Sequence, residues 1–224
     1  MKEYAMQLIN IDKSYQDGDS THIVLKKLSL NVENSEFVAI VGPSGSGKST
    51  LLSIAGALLS PDEGDIILGK GKIASKSQKD WTRIRRDKIG FIFQNYQLLP
   101  YLTVEDQLKL IQNMRKKEKR VDLNELLTDL GLLSCKDKYP EHMSGGEKQR
   151  TAIARAFMND PDVILADEPT ASLDGERGGQ VVEMIQKEVK KRSKAAIMVT
   201  HDDRVLKYVD TIYRLENGIL KRMN

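Results

Sequence analysis

The chain has 224 residues, 40% of them hydrophobic and 30% charged, which is enough for one compact core or for a core that carries a smaller lobe. Its 35 basic and 32 acidic residues leave a formal net charge of +3, so no global field indicates nucleic acid as a partner. A single cysteine, Cys135, excludes an internal disulfide, and no apolar run approaches the roughly 20 residues needed to cross a bilayer. The N-terminal residues also lack a signal-peptide pattern, so we expect a cytoplasmic protein whose membrane role would depend on a partner.

Alternating apolar residues predict an antiparallel sheet at the start of the chain. Strands are predicted over residues 6–15 and 22–32, and the polar loop 16–21 joins them as a hairpin. A turn at residues 60–64 and a short strand at 65–68 follow further along the chain. We expect these strands to form a sheet beside the main core.

A glycine-rich segment lies between a predicted buried strand, residues 36–41, and a predicted helix, residues 51–59. The segment fits the pattern G-x-x-x-x-G-K-S and consists of Gly42, Pro43, Ser44, Gly45, Ser46, Gly47, Lys48, Ser49 and Thr50. Its glycines let successive backbone N–H groups turn towards an oxyanion, and the helix adds the positive end of its dipole. Lys48 is expected to reach the β- and γ-phosphates of a nucleotide, and the Ser49 hydroxyl to hold Mg²⁺ beside them. The sequence therefore predicts a nucleotide-binding loop.

The middle of the chain predicts one more buried strand and a helical region. The strand covers residues 88–94 and ends at Gln94. From residue 103 to about residue 131 the apolar residues repeat with a helical period. A basic run at residues 115–120 would suit acidic lipid or nucleic acid, but a solvated helix end or loop is the favoured interpretation.

A second candidate anion site lies at the start of a later helix. Ser144 is suited to cap this helix, which is expected to run to about residue 159. Gly145 and Gly146 follow the cap, and the free backbone N–H groups at such a helix start bind anions. This short motif does not by itself establish an anion-binding site.

Two adjacent carboxylates, Asp167 and Glu168, lie near the end of a predicted buried strand, residues 163–170. An open α/β sheet binds its ligand at the carboxyl ends of its strands, the edge from which the glycine-rich loop also emerges. One carboxylate can therefore hold a metal ion while the other acts on water.

The remaining elements complete an α/β pattern. Asp174 lies at the start of a predicted helix, and a further strand, residues 195–200, ends at His201. A C-terminal hairpin is predicted between residues 211–215 and 219–222.

Six motifs occur in the same order as in the nucleotide-binding subunits of ATP-binding-cassette (ABC) transporters, which the chain resembles over essentially its full length. They are the phosphate loop, Gln94, the Ser-Gly-Gly helix start, the strand that ends in Asp167 and Glu168, the Ser-Leu-Asp step to Asp174, and the strand-end His201. The resemblance implies an α/β fold, in which a phosphate-loop NTPase core carries an antiparallel β subdomain and an α-helical subdomain. It implies one domain over residues 1–224, with the core and β subdomain in 1–94 and 161–224 and the helical subdomain in 95–160.

The resemblance also implies roles for single residues. It implies a head-to-tail homodimer that encloses two ATP molecules, each between the phosphate loop of one subunit and the Ser-Gly-Gly helix start of the other. Tyr15 would stack on adenine, Glu168 would be the general base, and His201 would be a switch that contacts the γ-phosphate. The implied ligands of Mg²⁺ are Ser49, Gln94 and Asp167, and Asp174 belongs to the implied ATP-binding residues.

The helix-start motif departs from the common family pattern at two positions. Met143 stands where leucine is common, and Glu147 stands where glutamine is common. The helix cap and its N–H groups are kept, so contact with ATP is still expected. We expect the glutamate to alter affinity or the timing of dimer formation.

The leading hypothesis is an ATPase that powers an exporter through a separate membrane permease, from the inner face of the cell membrane. Several segments resemble subunits that serve macrolide export, lipoprotein release, antimicrobial-peptide resistance and haem export, and residues 101–108 and 200–204 are closest to the last two. The alternative is a non-transport ABC ATPase that transmits force through a membrane partner to cell-wall hydrolases. A single phosphate loop argues against ribosome-binding members, and the short span from residue 50 to residue 163 argues against DNA-repair members.

The permease is expected to dock near residues 94–102. This segment is rich in apolar and aromatic residues, and such surface is seldom exposed without a use. The alternative is that the segment packs beneath the helical lobe.

Overall fold

The computed structural model describes residues 3–73, 77–114, 121–171, 173 and 175–224, and in these ranges the chain has ten strands and six α-helices. The strands are β1 (Tyr4–Asp17), β2 (Ser20–Glu33), β3 (Phe37–Val41), β4 (Glu63–Leu68), β5 (Gly71–Lys72), β6 (Ile89–Ile92), β7 (Val163–Asp167), β8 (Ala195–Thr200), β9 (Thr211–Glu216) and β10 (Ile219–Arg222). The helices are α1 (Lys48–Ala55), α2 (Gln78–Lys88), α3 (Val104–Asn113), α4 (Leu123–Asp129), α5 (Gly145–Phe157) and α6 (Gly175–Lys191). Within the described ranges, none of the helices combines the length and the apolar character that a membrane span requires.

The N-terminal strands form a four-stranded antiparallel sheet in the order β2-β1-β4-β5, as their alternating pattern predicts. Met6, Leu8 and Ile11 of β1 are fully buried and belong to the apolar core on one side of the main sheet. The N-terminal sheet is therefore attached to the rest of the molecule through its apolar face.

The hairpin between β1 and β2 is tighter than the predicted loop 16–21. Asp17 pairs directly with Ser20, so that only two residues form the connection. Gly18 has a φ of 60°, the left-handed conformation that two-residue hairpin turns favour.

The main sheet has six strands in the order β10-β9-β3-β8-β7-β6, and all neighbours are parallel except the C-terminal pair β9 and β10. Side chains alternate along each strand, so the two faces of the sheet contribute to two apolar cores. In β3, Val38 and Ile40 belong to one core, and Phe37 and Ala39 belong to the other. The parallel register brings the carboxyl ends of β3, β7 and β8 to one edge.

Among the α-helices, α2 is the one that the sequence pattern does not indicate, and it takes the first residue of the predicted strand 88–94. Only Trp81 and Ile84 of this helix are buried, which is too few apolar positions for a clear helical period. Its start is fixed instead by Ser77, whose hydroxyl accepts a hydrogen bond from a backbone N–H in the first turn. The strand that follows, β6, lies at the edge of the main sheet.

The predicted helical region 103–131 consists of two helices, α3 and α4. Thr103 caps the first helix and Asp122 caps the second, each by accepting a hydrogen bond from a backbone N–H of the first turn. The basic run 115–120 between them lies outside the described residues. Helix α5 begins directly after its predicted cap, Ser144, and packs against β6.

The contact between β6 and α5 depends on the absence of a side chain at Gly90. A Cβ at this position would lie 2.2 Å from the carbonyl oxygen of Ala156, a backbone atom that cannot move aside cheaply. We expect Gly90→Ala to lower the free energy of unfolding by about 2 kcal/mol, measured by urea denaturation. Gly71→Ala is the matched control, because its nearest atom would lie at 3.6 Å, and it should change stability by no more than about 0.5 kcal/mol. Equal urea midpoints for the two variants would contradict the close approach at Gly90.

Candidate nucleotide site

The phosphate loop joins β3 to α1, and close contacts with neighbouring strands explain two of its glycines. A Cβ at Gly42 would lie 2.3 Å from the carbonyl oxygen of Leu215, and a Cβ at Gly47 would lie 2.7 Å from Val24 Cγ1. Gly47 also has a φ of 98°, which L side chains rarely adopt. The loop is therefore held against β2 and β9 in a conformation that only glycine allows at these positions.

The side chain of Lys48 is buried within the loop, with a relative exposure of 8%. Its Nζ donates hydrogen bonds to the carbonyl oxygens of Gly42, at 2.8 Å, and Pro43, at 2.9 Å. Both acceptors lie at the start of the same loop. The ammonium group is thus fixed at the loop, where a bound phosphate would meet it.

Asp167 ends β7 next to the start of helix α1. Its Oδ1 accepts a hydrogen bond of 3.4 Å from the Ser49 hydroxyl. Burial raises the pKa of the Asp167 carboxyl, and the neighbouring charge of Glu168 raises it further. A cation at this position would stabilise the ionised form of the Asp167 carboxyl. The side chains of Ser49 and Asp167 both offer the oxygen ligands that Mg²⁺ prefers.

No group of three or more His, Cys, Asp or Glu side chains in the described ranges could hold a metal ion. An ion beside Ser49 and Asp167 would therefore need further ligands from phosphate and water. This is the usual way in which Mg²⁺ binds together with a nucleotide.

Glu168 follows β7 in a left-handed backbone conformation with a φ of 45°, which is uncommon for a residue with a side chain. The conformation is held in place by the Glu168 N–H, which donates a 3.0 Å hydrogen bond to the carbonyl oxygen of Val199. The carboxylate Oε2 lies 2.9 Å from His201 Nδ1 and accepts a longer bond, 3.4 Å, from the His201 N–H. The two predicted catalytic residues are therefore in contact, although 33 positions separate them in the sequence.

A cavity of about 360 Å³ opens beside the phosphate loop. Its lining contains most of the loop together with Glu168, and two residues of β2 that the sequence analysis did not single out. The lining residues are His22, Val24, Ser44, Gly45, Gly47, Lys48, Ser49, Thr50 and Glu168. The signal for His22 was present in the register of the hairpin, since His22 pairs directly with Tyr15, the predicted adenine contact.

Tyr15 and Gln94 do not belong to the lining of this cavity. Tyr15 is 43% exposed, and Lys13 Nζ lies 5.6 Å from the centre of its ring. Gln94 is exposed two residues after the end of β6. Asp174, the remaining member of the predicted set, lies outside the described residues.

The helix start at Ser144 is exposed and also lies outside the lining of the cavity. The Ser144 hydroxyl accepts a hydrogen bond from the Glu147 N–H, and the Glu147 carboxylate accepts one of 2.7 Å from the Ser144 N–H, which together form a capping box. This backbone hydrogen bond, with a second bond from Lys138, lowers the pKa of Glu147 to about 2. Gly145 is exposed and Gly146 is half-buried at this helix start. The departure at Glu147 thus has a local structural role.

A glycine-rich loop between a parallel strand and a helix, with carboxylates at the adjacent strand end, defines a phosphate-loop nucleotide-binding protein. The family model described as ABC transporter matches residues 25–171, and the chain belongs to this family. It is an ABC ATPase, in agreement with the fold and activity that the sequence motifs predict.

Three comparisons describe its relatives. The chain is 46% identical over 217 residues to a protein of Staphylococcus haemolyticus named putative hemin import ATP-binding protein HrtA, covering 96% of this chain and 98% of the relative. The dimeric structure of MJ0796, a bacterial ABC transporter cassette, matches with 35% identity and a TM-score of 0.85 over 98% of this chain and 99% of that chain. A second MJ0796 structure is a post-hydrolysis dimer bound to ADP and phosphate. It also matches with 35% identity and a TM-score of 0.85, over 98% of this chain and 99% of that chain.

Glu168→Gln tests the predicted general base. The amide keeps the shape of the carboxylate but cannot take a proton from water, so we expect ATP turnover to fall by about 10²- to 10⁴-fold while ATP affinity is retained. Phosphate release and equilibrium binding of ATP measure the two effects separately. Glu216→Gln, the same chemical change at an exposed position of β9, is the control and should hydrolyse ATP at the parental rate. Hydrolysis by Glu168→Gln near the parental rate would exclude Glu168 as the base.

Proposed function

We propose that this chain is the ATPase subunit that powers hemin export through a separate membrane permease. The observation that carries the proposal is the identity of 46% over nearly the whole chain to a relative named for hemin. Its name says import, whereas the resemblance of residues 101–108 and 200–204 favours export. The direction is therefore part of the proposal and of its test.

The geometry of the loop and of the strand ends supports different roles for the individual residues around the ATP phosphates. Lys48 would contact the β- and γ-phosphates, and Ser49 and Asp167 would hold Mg²⁺, which neutralises phosphate oxygens when bound. We propose Gln94 as a further ligand of this ion and of the attacking water. Glu168 would take the proton from that water, and His201, which contacts Glu168, would sense the γ-phosphate.

The second half of the site is proposed to come from another copy of the chain. Dimeric cassettes are known among its relatives, and the helix start at Ser144, Gly145 and Gly146 is suited to contact phosphate through its free N–H groups. In this arrangement each ATP lies between the phosphate loop of one copy and the helix start of the other. Tyr15 would stack on adenine, and Asp174 stays a proposed ATP contact on resemblance alone.

A second, larger cavity supports the proposed docking position of the permease. Its volume is about 690 Å³, and its lining combines apolar side chains of β6 and α3 with three arginines. The apolar members include Phe91, Phe93, Leu99, Leu110, Ile111 and Met114. Tyr101, at the end of the adjacent loop, is 70% exposed, so the loop is not wholly packed beneath the helices. We propose that a short apolar helix of the permease occupies this groove.

Charge favours a helix that also carries an acidic residue. The groove is lined by Arg85, Arg86 and Arg155, of which Arg86 is already paired with the Asp87 carboxylate. The Arg155 guanidinium bonds to the backbone carbonyl oxygens of Tyr96 and Gln97, so it is held by neutral groups of the loop. Its positive charge is thus available to a carboxylate of the docked helix.

Tyr101→Glu tests the docking position. The substituted side chain is exposed, so the variant should fold and bind ATP as the parent does, but co-purification with the permease and stimulation of the ATPase by it should be lost. Ile219→Glu is the matched control, because Ile219 is 48% exposed on β10, the strand at the opposite edge of the main sheet from β6. Retention of permease binding by Tyr101→Glu, or its equal loss in both variants, would contradict the proposed groove.

Transport assays test the substrate and the direction. We expect the complex of this chain with its co-purifying permease to show hemin-stimulated ATPase activity in proteoliposomes, and the Glu168→Gln complex to show none. Cells that lack the chain should become more sensitive to added hemin and accumulate it, because an ATP-driven exit route is lost. If these cells instead fail to grow with hemin as the iron source and are no more sensitive to it, the chain serves import rather than export. If a macrolide or a cationic peptide stimulates the ATPase activity and hemin does not, hemin is not the substrate.

A further inference from the structure

Glu147 places a negative charge in the first turn of α5, at the helix start where we propose that the ATP of a second copy binds. Its carboxylate Oε2 accepts the hydrogen bond from the Ser144 N–H. Its other oxygen, Oε1, lies 3.0 Å from Lys138 Nζ. Both carboxylate oxygens therefore have a partner within the chain, and one partner is a cation.

An unpaired carboxylate at this position would oppose the proposed function. The free N–H groups and the helix dipole attract an anion to the helix start, but a nearby carboxylate repels the same anion and competes for the positive end of the dipole. A glutamine would cap the helix equally well without this charge. Glutamate therefore requires a compensating cation if the helix start is to receive a phosphate.

Lys138 is held in the position that this compensation requires. Its carbonyl oxygen accepts a 3.1 Å hydrogen bond from the Val104 N–H at the start of α3, and its own N–H donates to the carbonyl oxygen of Cys135 at 3.0 Å. Two residues earlier, the Lys136 carbonyl oxygen accepts a 2.9 Å bond from the Glu105 N–H. The backbone is thus fixed on both sides of the side chain, which leaves only the lysine side chain itself to adjust.

We propose that Lys138 is a positioning residue for ATP-driven dimer formation, acting through Glu147. By pairing with the carboxylate it cancels the charge in the first turn and holds Glu147 as the cap of Ser144, so that the helix start remains attractive to the γ-phosphate held by the second copy. The inference rests on the proposed ATP sandwich and adds a residue outside the six motifs that define the family resemblance.

Charge removal and charge rescue test this role in the Glu168→Gln background, where we expect ATP-bound dimers to accumulate because the bound ATP is not hydrolysed. Light scattering or gel filtration gives the ATP concentration at which half of the protein is dimeric. Lys138→Gln should raise this concentration by roughly fivefold, because the charge of Glu147 is then uncompensated. Lys138→Arg should restore the parental value. Lys136→Gln removes the same charge from the same loop without touching Glu147, and it should have little effect.

The decisive variant is the double substitution Lys138→Gln with Glu147→Gln. Because the glutamine keeps the capping box and removes the charge, the double variant should dimerise at the ATP concentration of Glu147→Gln alone. In the hydrolytic protein, Lys138→Gln should raise the KM for ATP more than it lowers kcat, and its melting temperature should stay within a few degrees of the parent.

The possible failures separate the two proposals. If Glu168→Gln itself does not dimerise with ATP, both the ATP sandwich and the role of Lys138 are wrong. If it dimerises but Lys138→Gln has no effect, or if Glu147→Gln does not rescue it, the sandwich stands and the role of Lys138 is wrong. A large drop in melting temperature that Glu147→Gln does not correct would make Lys138 a purely structural residue, which also contradicts the proposal.

Discussion

The candidate site depends on the hydrogen-bonded register of β3, β8 and β7. Val41 pairs with Thr200, and Val199 pairs with Asp167, so the three strands end at nearly the same level. The phosphate loop, His201 and the two carboxylates all begin where these strands stop. A shift of one strand by a single residue would move its functional side chain to the other face of the sheet, because successive side chains alternate. The burial of both faces of the sheet protects this register.

The elements that the sequence predicted well are those with a strong local signal. A segment of about a dozen residues is enough to predict each of three elements: the fully buried strand β3, the loop that follows it and the capped helix α5. Helix α2 does not, since it buries only Trp81 and Ile84 and otherwise presents charged residues to solvent. The hairpin connection at Gly18 was predicted too long because the polar residues around it are typical of loops, yet they pair as strands.

The candidate site was predictable as a set of motifs but not as an arrangement. The contact between Glu168 and His201 and the partial burial of Asp167 result from strand order, which local patterns do not specify. His22 was missed for a different reason, because no motif marks it, although the predicted hairpin already places it opposite Tyr15. Conversely, Tyr15, Gln94 and Ser144 lie outside the lining of the loop cavity, and their roles depend on a nucleotide and a second copy of the chain.

The two backbone hydrogen bonds between the start of α3 and the loop at Lys136 and Lys138 have a further consequence. These bonds, of 2.9 and 3.1 Å, join main-chain groups of the first turn of α3 to the loop that carries Lys138. Tyr101, whose side chain is 70% exposed, lies two residues before Thr103, the cap of α3, and the Lys138 ammonium group contacts Glu147. The proposed permease contact and the proposed dimer contact are therefore connected through main-chain hydrogen bonds as well as through side chains.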